Sequence, residues 1–114
     1  MPELPPIIAR YFDAMHGGDA EALAAVFAPD ATVTDEGQTH HGRAEIVRWR
    51  ESANARYRVT VTPESLRQGD AQTVVTALVE GDFPKAGLPD PLRLDYLFGL
   101  ADGLVSSLAI GLPR

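Results

Sequence analysis

The sequence predicts an α+β fold in which a curved antiparallel sheet wraps three N-terminal helices. Two patterns carry this. Apolar residues recur at helical spacing through the first half of the chain and alternate with a period of two through the second. Helices followed by strands argue against alternating βαβ units. A third observation sets the scale: 114 residues, 45% hydrophobic and 23% charged, suit one domain spanning 1–114 with one core.

The elements follow in order. Pro5 and Pro6 suit the first turn of a helix, where a missing N–H costs little. Ile7, Ile8, Tyr11, Phe12 and Met15 then mark its buried face, and Gly17-Gly18 stops it. Asp19 is a good N-cap for a second helix carrying Leu23, Val26 and Phe27, which Pro29 ends. Ala31 to Glu36 reads as a short strand and Gly37 to Gly42 as a polar loop. A third helix runs from Arg43 to Asn54, with Ile46, Trp49 and Ala53 on one face.

Four strands complete the pattern. In Ala55 to Thr62, Tyr57, Val59 and Val61 face inward. Ala71 to Gly81 is rich in Val and Thr, and Pro84 to Pro91 connects it onward. In Leu92 to Leu100 the inward set is Leu92, Leu94, Tyr96, Phe98 and Leu100, opposite Arg93, Asp95, Leu97 and Gly99. Asp102-Gly103 is a hairpin turn leading into Leu104 to Leu112. Such a sheet is expected to close into a cup that encloses a pocket for a small apolar molecule.

Composition excludes several functions. The formal net charge of −6 repels phosphate backbones, so no nucleic-acid partner is expected. Cysteine is absent, which removes disulfide and thiolate chemistry. No apolar run approaches the roughly 20 residues of a membrane span, and Met1-Pro2-Glu3-Leu4 lacks a basic leader, so a cytoplasmic protein is expected. His40 and His41 are adjacent and point opposite ways on an extended segment, so no metal site is expected. No Gly-rich phosphate loop, serine elbow or cofactor fingerprint is present, and no cofactor is expected.

Asp35 breaks the binary pattern. It shares a strand face with Ala31 and Val33, where an ionised carboxylate is costly. Two readings fit: the strand ends at Thr34 and Asp35 caps a turn with Gly37, or the carboxylate faces a pocket as a general base. His16 at a helix end suits a dipole contact. Arg43 suits either a ligand carboxylate or solvent.

The stretch Ala9-Arg10-Tyr11-Phe12-Asp13-Ala14-Met15-His16-Gly17-Gly18-Asp19, followed by Phe27-Ala28-Pro29-Asp30-Ala31-Thr32-Val33-Thr34-Asp35, resembles the NTF2-like superfamily, with its SnoaL-like polyketide cyclases and ketosteroid isomerases. His41-Gly42-Arg43-Ala44-Glu45-Ile46 fits the same pattern. The resemblance implies a cone-shaped fold with a pocket. It also implies an oxyanion-binding role for Tyr11, a proton-abstracting role for Asp35 and a second donor at Tyr96. The isomerases carry an aspartic acid at that last place, and here Asp95 is its neighbour. Trp49, Tyr57, Phe98 and His41 are the expected pocket wall. The implied function is a cofactor-free isomerase or cyclase acting on an apolar carbonyl compound. The alternative is a non-catalytic binding or interaction module, because fold does not imply function. Val74, Leu78 and Leu97 on the outward sheet face suggest a homodimer, which the resemblance also implies.

Overall fold

The structure is a computed structural model describing residues 3–17, 20–35, 37–56, 59–69, 72–81, 87 and 91–113. Helix α1 (Pro6–Gly17) buries Ile8, Tyr11, Phe12 and Ala14, with Ile7 and Met15 packed beside them. Helix α2 (Ala20–Val26) buries Leu23 and Val26 against α1. Helix α3 (Arg43–Arg56) packs on α2 and on strands β1 (Phe27–Asp35) and β2 (Gln38–His41). The remaining strands are β3 (Val59–Gln68), β4 (Thr73–Gly81), β5 (Leu92–Ala101) and β6 (Leu104–Gly111).

The six strands form one curved, unclosed sheet in the order β2-β1-β6-β5-β4-β3. It is mixed rather than wholly antiparallel, because β1 runs parallel to β6. It also stays open, with β2 and β3 at its edges, so the expected closed cup is a cone with two free rims. The core lies between its concave face and the helices. There Phe27, Ala31, Val33, Val75, Ala77, Phe98, Val105 and Leu108 are buried with the helical set.

Other boundaries move for identifiable reasons. Phe27 starts β1 instead of ending α2, because it pairs with Val105. The register then slips before Thr32, and Pro29, which has no N–H to give a ladder, falls inside that slip. The segment read as a polar loop is β2, whose residues pair with Thr32–Asp35. It is an edge strand with little apolar content, so hydrophobic alternation could not reveal it. α3 continues to Arg56, and β3 extends to Gln68 by pairing with β4 across a bulge near Pro63 and Ser65. In β5 a bulge between Gly99 and Leu100 turns Leu100 outward, where it is 41% exposed rather than inward. Asp102 and Gly103 both have positive φ, 54° and 78°, which suits the twist of a two-residue hairpin. The Asp19 cap, Glu36, Tyr57 and most of the 84–91 connection lie outside the described residues.

Candidate functional site

Tyr11 lies at the centre of the core, fully buried. Its ring meets Phe12 at 5.0 Å, Phe98 at 5.3 Å, Phe27 at 5.9 Å and Tyr96 at 6.4 Å between centroids. The first three contacts are edge-on, the favoured arrangement for aromatic quadrupoles. Its hydroxyl has no hydrogen-bond partner among the described residues. Leaving such a donor unpaired costs about 1–3 kcal/mol.

Tyr96 faces the same interior from β5, where its ring packs on Phe12 at 5.5 Å. The neighbouring Asp95 faces the other side of the sheet. There Thr76 Oγ1 donates to its Oδ1 at 2.5 Å and Arg67 to its Oδ2 at 3.2 Å. A buried aspartate thus stands outside the core, and a tyrosine stands inside it.

Asp35 is the last residue of β1, half-buried beside the hairpin that Gly37 turns with φ 76°. Its Oδ2 accepts a hydrogen bond from Trp49 Nε1 at 3.1 Å. α3 thereby orients the carboxylate on the face it shares with buried Ala31 and Val33. The strand continues through Asp35, which pairs with Gln38 across the hairpin, so a strand ending at Thr34 is not what forms.

The fields of these groups overlap. Burial pushes the Tyr11 hydroxyl well above its ordinary pKa. Tyr96 and Asp35 add to that rise, and Arg50 opposes it. Burial also raises Tyr96, with Asp35 adding again. Both phenols are therefore neutral donors at neutral pH. A stability consequence follows. Above the ordinary tyrosine value of 10.0, the unfolded chain releases protons that the folded chain retains. Stability is unaffected below that pH and should fall above it, about tenfold in the folding equilibrium per pH unit per tyrosine. In denaturant titrations the slope should grow from near zero at about pH 9 toward two protons by about pH 11, and Tyr11→Phe should halve it.

The other expected site residues are placed as follows. Phe98 is a fully buried core ring. Trp49 is a hydrogen-bond donor to Asp35 as well as a wall, and His40 lies 6.0 Å from it, ring to ring. His41 is exposed: it pairs with Thr32, on the strand face opposite His40, which pairs with Val33. His40, rather than His41, thus shares the side of Asp35. Tyr57 is outside the described residues. His16 Nε2 accepts the Val61 N–H at 3.1 Å and ties α1 to β3. Arg43 Nε donates to the Phe27 carbonyl at 2.9 Å, a structural contact.

Sequence reasoning missed Arg50. It is buried and donates to the Met15 carbonyl at the end of α1. A signal was present, since Arg50 stands four residues after Ile46 on the face that Ile46 and Trp49 mark. Among the described residues no cluster of three or more His, Cys, Asp or Glu could hold a metal, and no helix is long and apolar enough to cross a membrane.

The sequence pattern of the SnoaL-like domain matches residues 8–108, nearly the whole chain. The chain belongs to the SnoaL-like family. This SnoaL-like protein is 37% identical to a provisionally named polyketide cyclase of Sinorhizobium meliloti, with a TM-score of 0.87 and 95% of each chain covered. A Catenulispora acidiphila protein of ketosteroid isomerase-like fold, solved in complex with trimethylamine, superposes with a TM-score of 0.81. At 24% identity, over 96% of this chain and 86% of that one, it speaks to the fold alone. A steroid Delta-isomerase of Nocardioides simplex is 52% identical over 33 residues, which span 29% of this SnoaL-like chain and 27% of the isomerase.

Proposed function

We propose that the protein is a cofactor-free enzyme acting on an apolar carbonyl compound by proton abstraction and enolate stabilisation. The observation that carries this reading is the fully buried Tyr11 hydroxyl with no partner among the described residues, lying in the field of the Asp35 carboxylate. A buried donor kept unpaired is explained when a ligand oxygen accepts from it.

The chemistry needs few parts. The Asp35 carboxylate removes a proton from the carbon next to the carbonyl. The electron pair of that C–H bond moves into the enolate, and its negative charge gathers on oxygen. Neutral Tyr11 donates to that oxygen, with Tyr96 as the second donor. Isomerisation follows if Asp35 returns the proton to the γ-carbon of a β,γ-unsaturated ketone. Cyclisation follows if the enolate carbon attacks a second carbonyl of the same substrate, whose π pair moves to its oxygen and takes up the proton from Asp35. The buried aromatic surroundings of Tyr11 and Tyr96 strengthen their interaction with the developing charge.

A panel of β,γ-unsaturated ketones, followed by the absorbance of the conjugated product, tests the reading. Exchange of the α-proton in heavy water tests it independently of product type. Acceleration of either process is expected. Absence of both across linear and cyclic ketones would leave the non-catalytic binding module as the better account.

For the partner, the same proposal includes a second copy docked through the outer sheet face. Val74, Leu97 and Ala109 form a half-buried apolar row across β4, β5 and β6. Beside it, Arg67 pairs with Asp95 and Arg93 with Glu64. A face whose own charges cancel can meet its copy across a two-fold axis despite the chain's net negative charge. Sedimentation equilibrium at micromolar concentration should give a dimer that Leu97→Glu dissociates; a monomer mass for the parent protein would refute it.

A further inference from the structure

Strand β2 ends at His41 and α3 begins at Arg43, so Gly42 alone joins them. Its φ of 86° lies in the left-handed region, which lets the chain double back at one residue. The Gly42 N–H donates to the Ala31 carbonyl of β1 at 2.8 Å, and the Gly42 carbonyl accepts the Ile46 N–H of α3 at 3.1 Å. The His41 N–H reaches Glu45 Oε1, in the first turn of α3, at 3.4 Å. These bonds fix the β1–β2 hairpin against the start of α3. They thereby set His40 of the hairpin beside Trp49 of the helix.

The result is a two-point grip on the indole. Its N–H donates to Asp35 Oδ2 at 3.1 Å, and the His40 ring lies 6.0 Å away between centroids, tilted by 33°. That separation is within the range at which aromatic rings attract one another. Both grips come from one hairpin: Asp35 pairs with Gln38, and His40 follows two residues later on the same side. Trp49 and His40 are only half-buried, so close packing does not immobilise them as it does Tyr11. A single hydrogen bond leaves an indole free to swing about it. A second contact, made to the ring, removes much of that freedom and narrows the orientations open to the carboxylate.

We propose that His40 is a positioning residue: its ring steadies Trp49, and through the indole N–H it holds the Asp35 carboxylate in one orientation. The ring contact is what matters, not the imidazole proton. The catalytic consequence deepens the function proposed above and rests on it; the grip on the indole does not. A base works when its lone pair is aimed at the proton, and a misplacement of about 1 Å can cost about a hundredfold. Because His40 acts through Trp49 rather than on the substrate, its loss falls on kcat and leaves KM unchanged.

Trp49 is the chain's one tryptophan, so a single indole N–H resonance reports the grip without any substrate. Its exchange in heavy water is followed by NMR at fixed pH, with Asp35→Ala giving the rate of an indole whose acceptor is gone. His40→Ala should speed exchange at least about tenfold toward that limit. It should also lower kcat on the best ketone of the panel by about ten- to a hundredfold. His40→Phe, which restores a ring without the nitrogens, should recover most of both. A merely structural histidine would shift the melting temperature but leave exchange and kcat alone. Unchanged exchange in a folded His40→Ala protein overturns the inference, as does an Asp35→Ala protein that exchanges no faster than the parent. If His40→Ala does not fold, His40→Gln decides, and full protection in that ringless variant overturns it. Failure of a folded His40→Phe protein to recover protection overturns the role of the ring. Exchange that follows the ring while kcat does not overturns the positioning of the base alone. Exchange that follows the ring in a protein with no turnover supports the grip and counts against the proposed function.

Discussion

Asp35→Asn is expected to lower the turnover of an activated ketone by about 10²–10⁴-fold, the usual contribution of one positioned base. The fold should survive. The asparagine carbonyl can still accept the Trp49 indole N–H that Asp35 Oδ2 accepts at 3.1 Å. Trp49 is the chain's one tryptophan, so its fluorescence reports this contact without interference. Unchanged fluorescence and melting temperature together with lost turnover would assign the loss to chemistry. Unchanged turnover would remove Asp35 from the mechanism, whatever the stability.

Tyr11→Phe is expected to move activity and stability in opposite directions. Losing one oxyanion donor typically costs 10²–10³-fold in kcat, somewhat less than losing the base, because Tyr96 remains. Stability should hold or rise by about 1 kcal/mol, since the substitution deletes a buried hydroxyl that has no partner among the described residues. The ring contacts to Phe12, Phe27 and Phe98 stay in place. Measured kcat and denaturation midpoints on one preparation check both signs. A clear loss of stability would mean that the hydroxyl is satisfied within the folded protein and is not held open for a ligand oxygen.

Asp35 was legible because the chain wrote an acid where strand parity demands an apolar residue, after Ala31 and Val33. Tyr96 was legible for a similar reason. Counting inward positions along β5 puts it with Leu92 and Phe98, and the bulge that upsets the count lies beyond it, at Gly99. His41 was not placed correctly, because that required knowing that the polar segment after Gly37 is a strand. Once β2 pairs with β1, register alone sends His40 toward Trp49 and His41 to solvent. Arg50 was overlooked because a charged residue on a helix is ordinarily solvated. Only the packing of α3 on the other elements reveals that its side chain is enclosed.

The sequence by itself determined the local and periodic features. Helical spacing from Ile7 to Met15, alternation along β5 as far as Gly99 and the Asp102-Gly103 turn each depend on neighbours a few residues apart, and each formed where it was read. Only the tertiary structure decided the parallel union of β1 with β6, the strand character of β2 and the open sheet. It alone brought Tyr96, Asp35 and Arg50 close enough to act on the Tyr11 hydroxyl, and Asp35 close enough to act on Tyr96. The physical reason is that backbone pairing carries no side-chain signature at an edge, and electrostatic coupling depends on distances across elements far apart in the chain. Periodicity reports which face of an element is buried; what that face meets is set when the elements pack.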